Sequence, residues 1–193
     1  MDRKRPRDQL LDAAIEYAAT HGISGLSLRA LATELGTSHR MLIFHFGSKE
    51  QLWIEIVRTV EQRQRELMRE FVPDLSQPTR EALRAWWKHL SDPSLWPSER
   101  LFFELYAHAL QGRAHAAEFL DGIVEDWVEP FVQAGAADDI PEPLARAHAR
   151  LGVAVTRGLL LDLLATGDTE QVDAAMDAFI DLIESWNPPQ VDA

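Results

Sequence analysis

The sequence predicts an all-α fold, a three-helix N-terminal unit followed by a larger helical part, and three observations predict it. Apolar residues recur at intervals of three and four along almost the whole chain, and no segment alternates apolar and polar residues for long enough to make a half-buried strand. Ser, Pro and Gly stand where those periodic runs begin and end. Finally, 193 residues of 46% apolar content can fill one ordinary core or two small ones. The chain has no cysteine, which excludes disulfides, thiolate nucleophiles, iron–sulfur clusters and thiolate zinc sites and leaves packing to hold the fold.

The first helix carries Leu10, Leu11, Ala14, Ile15 and Ala18 on one stripe and stops at Gly22, a residue suited to a left-handed cap. Arg3, Lys4, Arg5 and Arg7 precede the stripe as a basic arm, which fits a solvated tail as well as a nucleic-acid contact. A short second helix runs from about Leu28 to Leu35, with Ser27 placed to accept from its first free amides. Gly36 ends it. After Thr37, Ser38 caps a third helix reaching about Phe46. Ser48 opens a fourth, with Gln51 completing a capping box, and Leu52, Ile56, Val60, Leu67 and Phe71 carry it to about residue 72, where "VPDLSQP" breaks it. Helices follow at about 78–90, 97–111, 115–134, 141–166 and 169–186; Pro78 and Pro141 lie near first turns, Gly112 and Gly167 at ends, and Pro188 after the last. Pro130 falls inside the third of these and predicts a kink or a break.

The formal charge of -12 is uneven: residues 1–60 carry 8 Lys/Arg against 7 Asp/Glu, and residues 61–193 carry 11 against 24. A polyanionic partner is therefore compatible with the N-terminal part, because an electrostatic footprint is local. No apolar run approaches the roughly 18–20 residues that span a bilayer, and "MDRKRPRDQLLDAAIEY" turns amphipathic where a signal peptide needs a continuous apolar block. These features predict a cytoplasmic protein with no membrane partner.

Short helix, glycine-containing turn, short helix is the outline of a helix-turn-helix, whose second helix fits a major groove about 12 Å wide. With Leu42 and Phe46 turned inward against Leu28, Leu31 and Leu35, the side chains of His39, Arg40, Ile43 and Phe44 point outward as candidate readers. Met41 and His45 lie at the edges. Lys49 at a helix start opposes the macrodipole, which favours an outward phosphate contact over a structural role. His45 fits either a satisfied histidine between two aromatics or a phosphate contact, and His39 either a reader or an exposed first-turn residue.

The segment "GISGLSLRALATELGTSHRMLIFHFGSKEQLW" resembles, in order and spacing, the DNA-binding domain of the TetR (tetracycline-repressor) family of transcriptional regulators. The resemblance covers residues 7–53, and its most specific part is Leu42, His45, Phe46, Ser48, Lys49 and Glu50 with Gly36 upstream. It implies a helix-turn-helix DNA-binding domain over residues 1–52 and a helical effector-binding and dimerisation domain over 53–193. It also implies phosphate contacts from Ser27, Thr37, Ser38, His45 and Lys49, and base-edge contacts from His39, Arg40 and Met41. Where the family usually has a tyrosine whose hydroxyl meets a phosphate, this chain has Ile43, followed by Phe44. Either the site uses apolar contact with a thymine methyl or Phe44 takes over part of the packing.

The later helices suggest assembly and ligand binding. "LGVAVTRGLLLDLL", residues 151–164, is apolar nearly all round, more than a helix covering one core needs. The last helix adds Val172, Ala175, Met176, Phe179, Ile180 and Ile183 at helical spacing. Leu160, Leu164, Val172, Met176, Phe179, Ile180 and Ile183 are accordingly candidate homodimer contacts across a twofold axis, and the resemblance likewise implies a four-helix dimer interface. The alternative is burial of both helices within one subunit. Large rings concentrate mid-chain, where they fill a core or line a cavity. Trp86, Trp87, Phe103, Tyr106, Trp127 and Phe131 are the candidate effector pocket, with Glu104 and His108 adding polar selectivity.

The chain contains no G-x-S-x-G, H-E-x-x-H, P-loop or G-x-G-x-x-G motif, so neither enzyme nor cofactor is expected. His108, His115 and Glu118 lack a compact i, i+4 pair, and no metal site is expected either. The acids of "DGIVEDWVE", residues 121–129, fit a solvated helix face. The sequence as a whole predicts a ligand-responsive transcriptional regulator, a repressor released from a palindromic operator on double-stranded DNA by a small apolar or aromatic effector. The alternative is a helical small-molecule binding protein or enzyme in which the helix-turn-helix is only a packing unit.

Overall fold

The computed structural model describes residues 6–22, 27–75, 80–113, 116, 119–135 and 140–186, with 67–75, 134, 135 and 186 described through their backbone alone. Among these residues the chain is all-α, with no strand. In order run α1 (Pro6–His21), α2 (Leu28–Glu34), α3 (His39–Phe46), α4 (Lys49–Leu75), α5 (Arg80–Leu90), α6 (Trp96–Leu110), α7 (Glu125–Gly135), α8 (Glu142–Thr166) and α9 (Thr169–Trp186). They fall into two compact units, Met1–Glu66 with Pro97–Ile123, and Leu67–Trp96 with Val124–Ala193.

In the first unit the predicted inner stripes close on one another. Leu11, Ala14, Ile15 and Ala18 of α1 are buried, as are Leu28, Leu31 and Ala32 of α2, Leu42 and Phe46 of α3, and Leu52, Trp53, Ile56, Val57 and Val60 of α4. From α6 come Leu101, Phe102, Leu105 and Ala109, and Ala116, Phe119 and Ile123 follow. Serines set the helix starts. Ser27, in extended conformation, accepts from the Ala30 amide at 3.2 Å, Ser38 from Met41 at 3.1 Å and Ser48 from Gln51 at 3.1 Å. Only that half of the expected capping box is seen at Ser48, whose own amide bonds to the Phe46 carbonyl at 3.0 Å. α4 does not stop near residue 72: it continues through Pro73, whose fixed φ suits a helix and whose cost is one missing donor, to Leu75.

The second unit is built from α5 against α9, α7 against α8 and α8 against α9. Trp86, Trp87 and Leu90 are buried on α5, Val128 and Val132 on α7, Leu160 and Leu163 on α8, and Val172, Met176 and Ile180 on α9. A polar seam runs antiparallel along α5 and α9. Arg80 pairs with Asp181 and with Glu184, the latter at 2.9 Å; Arg84 pairs with Asp177 at 2.7 Å; and the Trp87 indole N–H donates to Asp173 at 2.6 Å. α8 ends at Gly167 in the left-handed conformation, φ 71° and ψ 7°.

Two expectations need correction here. The helix expected over 115–134 begins only at Glu125, after turns in which Gly122 takes φ 73°, a conformation that ends regular helix. Of the kink or break expected at Pro130, the break is absent: the residue lies inside α7, which runs on to Gly135. The acids of 121–129 are not merely solvated, since Arg146 pairs with Glu125 at 3.0 Å and with Glu129 at 2.9 Å, and Arg150 with Glu125 at 2.8 Å, tying α7 to α8.

The chosen dimer contacts are also largely turned inward. Leu160, Val172, Met176 and Ile180 are 5%, 2%, 5% and 0% exposed, and Leu164, Phe179 and Ile183 are half-buried. Within the single chain α9 lies against α5 and α8, and the four buried residues are covered by the chain's own helices. The outward face of α8 is different and equally regular: Ala147, Leu151, Ala154, Gly158, Leu161 and Ala165, with Leu151 44% and Leu161 52% exposed. On α9 the exposed row is Gln171, Ala175, Ala178, Leu182 and Ser185. A Cβ on Gly158 would meet nothing of this chain within 4 Å, so internal packing does not require a glycine there.

Candidate nucleic-acid interface

The turn between α2 and α3 is fixed by backbone chemistry. Gly36 takes φ 61°, and the Thr37 amide reaches back to the Ala32 carbonyl at 2.9 Å. With Ser38 capping α3, this places an eight-residue helix "HRMLIFHF" that contains no acid. Leu42 and Phe46 anchor it at 1% and 5% exposure. His39, Arg40, Met41, Ile43 and Phe44 are all exposed, and of the three apolar ones Phe44 is the most so, at 77%. Spacing of four residues puts His39 in line with Ile43 and Arg40 in line with Phe44. The outward face is therefore polar and cationic in its first turn and apolar in its second.

Around α3 the expected phosphate ligands are near the helix starts. Ser27 and Ser38 are exposed, and although each hydroxyl oxygen accepts from its own helix, each O–H proton stays available to donate. Thr37 is half-buried. His45 is half-buried between Phe44, edge-on at 5.1 Å, and Phe46 at 6.2 Å. Both of its sequence readings survive, since the aromatics flank it and part of the ring still faces solvent. Lys49, first in α4, has a partner the sequence did not suggest: its Nζ lies 5.8 Å from the centre of the Trp53 ring one turn on.

Arg7 is not part of a free arm. It sits in α1, pairs with Glu55 of α4 at 2.5 Å, donates to the His45 carbonyl at 3.3 Å and lies 5.2 Å over the Phe46 ring. A second clamp joins Arg63 of α4 to Asp12 of α1. Sequence reading missed both because the partners lie 48 and 51 positions apart. Arg3, Lys4 and Arg5 lie outside the described residues.

The effector candidates divide between the units. In the first, Phe103 and Tyr106 are half-buried around the buried Phe102 and Phe119, with ring centroids of the contacting pairs 5.4–6.2 Å apart. His108 is half-buried on the same helix. Glu104 is placed against Gly22 at the end of α1, where a Cβ would come 3.3 Å from its carboxylate. Also on α6, Glu99 is 5% exposed and accepts from Gln64 of α4 at 2.7 Å. In the second unit Trp86 and Trp87 are core at 8% and 4% exposure, and the Trp87 polar handle is already taken by Asp173. Trp127 and Phe131 are half-buried; Arg157 lies 5.9 Å over the Trp127 ring, whose buried N–H has no acceptor among the described residues. Among the described residues no group of three His, Asp or Glu side chains could hold a metal ion, and His115 and Glu118 lie outside those residues.

Residues 10–56 match the profile of the bacterial regulatory proteins, tetR family. The chain is 25% identical over 158 residues to the HTH-type transcriptional repressor NicS of Pseudomonas putida, covering 78% of this chain and 73% of NicS. Its fold is similar to that of a transcriptional regulator from Rhodococcus sp. Rha1, with a TM-score of 0.73 at 22% identity over 94% of this chain and 97% of that one. FadR from Bacillus subtilis, solved in complex with stearoyl-CoA, is similar with a TM-score of 0.65 at 20% identity over 91% and 96%.

Proposed function

We propose that the chain is a transcriptional regulator of the TetR family, whose profile residues 10–56 match, and that it is a ligand-responsive repressor that binds a near-palindromic operator as a homodimer. The observation that carries the reading is the outward face of α3, where five consecutive-turn side chains, His39, Arg40, Met41, Ile43 and Phe44, are exposed on a helix without an acid. Arg40 supplies the donors that pair with guanine, and Ser27, Thr37, Ser38, His45 and Lys49 hold the backbone in register. Residues 1–52 are the reading domain and 53–193 the effector and dimerisation domain. The protein works in the cytoplasm without an enzymatic step; among the described residues no helix is long and apolar enough to cross a membrane.

Dimerisation is assigned to the outward rows of α8 and α9 rather than to the inward stripe. Leu151, Leu161 and Leu182 supply apolar area, and the alanines with Gly158 let two helices approach closely.

An apolar or aromatic effector is placed against the half-buried rings of α6, Phe103 and Tyr106. The stearoyl-CoA bound by FadR supports an apolar ligand on this fold. The choice of α6 follows from Glu99, which accepts from Gln64 of α4, and from Glu104, which lies beside Gly22 at the end of α1, so that a shift of α6 would reach the helices clamped around α3. Differential affinity is the whole requirement, and a coupling of about 1–3 kcal/mol weakens operator binding roughly 5- to 150-fold.

The test is retention of the purified chain on the DNA flanking its own gene at moderate salt. Selective retention of one fragment, with an affinity that falls steeply as salt rises, is the expected result. Equal affinity for every fragment would leave the helix-turn-helix as a packing unit.

A further inference from the structure

We propose that Phe44 reads the 5-methyl group of thymine, so that an apolar side chain on α3 determines part of the operator sequence. Exposed large apolar residues fall at three of four successive positions of this helix, Met41 at 42%, Ile43 at 37% and Phe44 at 77%. A single exposed apolar residue needs no explanation, but a cluster on a helix already anchored through Leu42 and Phe46 does. The Phe44 ring is not folded back on the protein: it stands edge-on to the His45 ring, 5.1 Å away at an interplanar angle of 72°.

Chemistry decides what such a surface meets. Neither Phe nor Ile carries a donor, so neither replaces a hydroxyl at a phosphate oxygen. Of the four bases only thymine shows an apolar group in the major groove. Arg40 lies one turn earlier on the same row, about 6 Å along the axis, and its fork matches guanine O6 and N7. The helix therefore presents a guanine reader and a thymine reader in line, with no acid to repel the backbone on either side.

This inference rests on the reading of α3 as the operator-binding helix, and the test separates the two. Full-length protein selects its operator from a random duplex library, and each thymine of the selected site is then replaced in turn by deoxyuridine, which removes only the methyl group. In the wild-type protein one thymine per half-site should lose about three- to fivefold in affinity by fluorescence anisotropy, the worth of one buried methyl. Phe44→Ala should erase that ratio, and Arg40→Ala should lower overall affinity while keeping it. Discrimination below about twofold at every thymine, or a full ratio retained in Phe44→Ala, overturns the inference and leaves operator binding standing. Failure to select any duplex overturns both.

Discussion

At the scale of single residues, the proposed roles at the DNA separate by chemistry. Arg40→Ala should lose roughly 1–3 kcal/mol chiefly on the preferred operator, whereas Lys49→Ala should weaken all duplexes alike and lower the salt slope by about 1. Binding titrations of both variants across a salt series check this; an equal loss for Arg40→Ala on specific and random duplexes would remove Arg40 from base reading. The inward residues of α3 were legible because helical period alone places Leu42 and Phe46 opposite Arg40 and Phe44. Arg7 and Glu104 were not legible. Arg7 pairs with Glu55 and Glu104 lies beside Gly22, both far along the chain, and local pattern carries no such information. The bond from the Trp87 indole to Asp173, 86 residues away, was hidden for the same reason.

Among the helices, those with serine caps or glycine stops were readable, and the one over 115–134 was not. Composition there is helical throughout, and only the positive φ of Gly122 shows where regular structure gives way. The outer helices were readable as apolar but not as to which face each side uses. Two variants now separate these faces. Ile180→Glu puts a charge at a position with 0% exposure and should unfold the second unit, because an unpaired buried charge is costly. Leu161→Glu, at 52% exposure, should leave helicity intact and yield a monomer in sedimentation. The reverse pattern would return the inward stripe to the interface.

The α5–α9 seam carries a pH dependence whose sign is fixed. The hydrogen bond from Arg84 holds the Asp177 carboxyl below its usual value of 3.8, so the folded state binds its proton less readily than the unfolded chain. The stabilisation is present above that unfolded value and is lost as pH falls through the lower folded one. Melting temperature should fall from about pH 6 to about pH 3 less steeply in Arg84→Ala than in the parent, and added salt should shrink the difference because the pair is exposed. Identical slopes would show that the pair contributes nothing.

At the scale of the whole molecule, the proposed function needs two reading helices held by a twofold assembly. α4 is continuous from Lys49 to Leu75, α1 is clamped to it at both Arg7 and Asp12, and the proposed dimer contacts are the outward rows of α8 and α9. A dimer of this kind holds its two α3 helices about 34–36 Å apart, one turn of the duplex. The central claim is therefore geometric, and operator spacing tests it most directly. Inserting about half a helical turn, 5 base pairs, at the centre of the selected operator should reduce binding to that of random DNA, because the two half-sites then face opposite sides of the duplex. Unchanged affinity for the lengthened site would mean that each α3 binds alone, and would contradict the account.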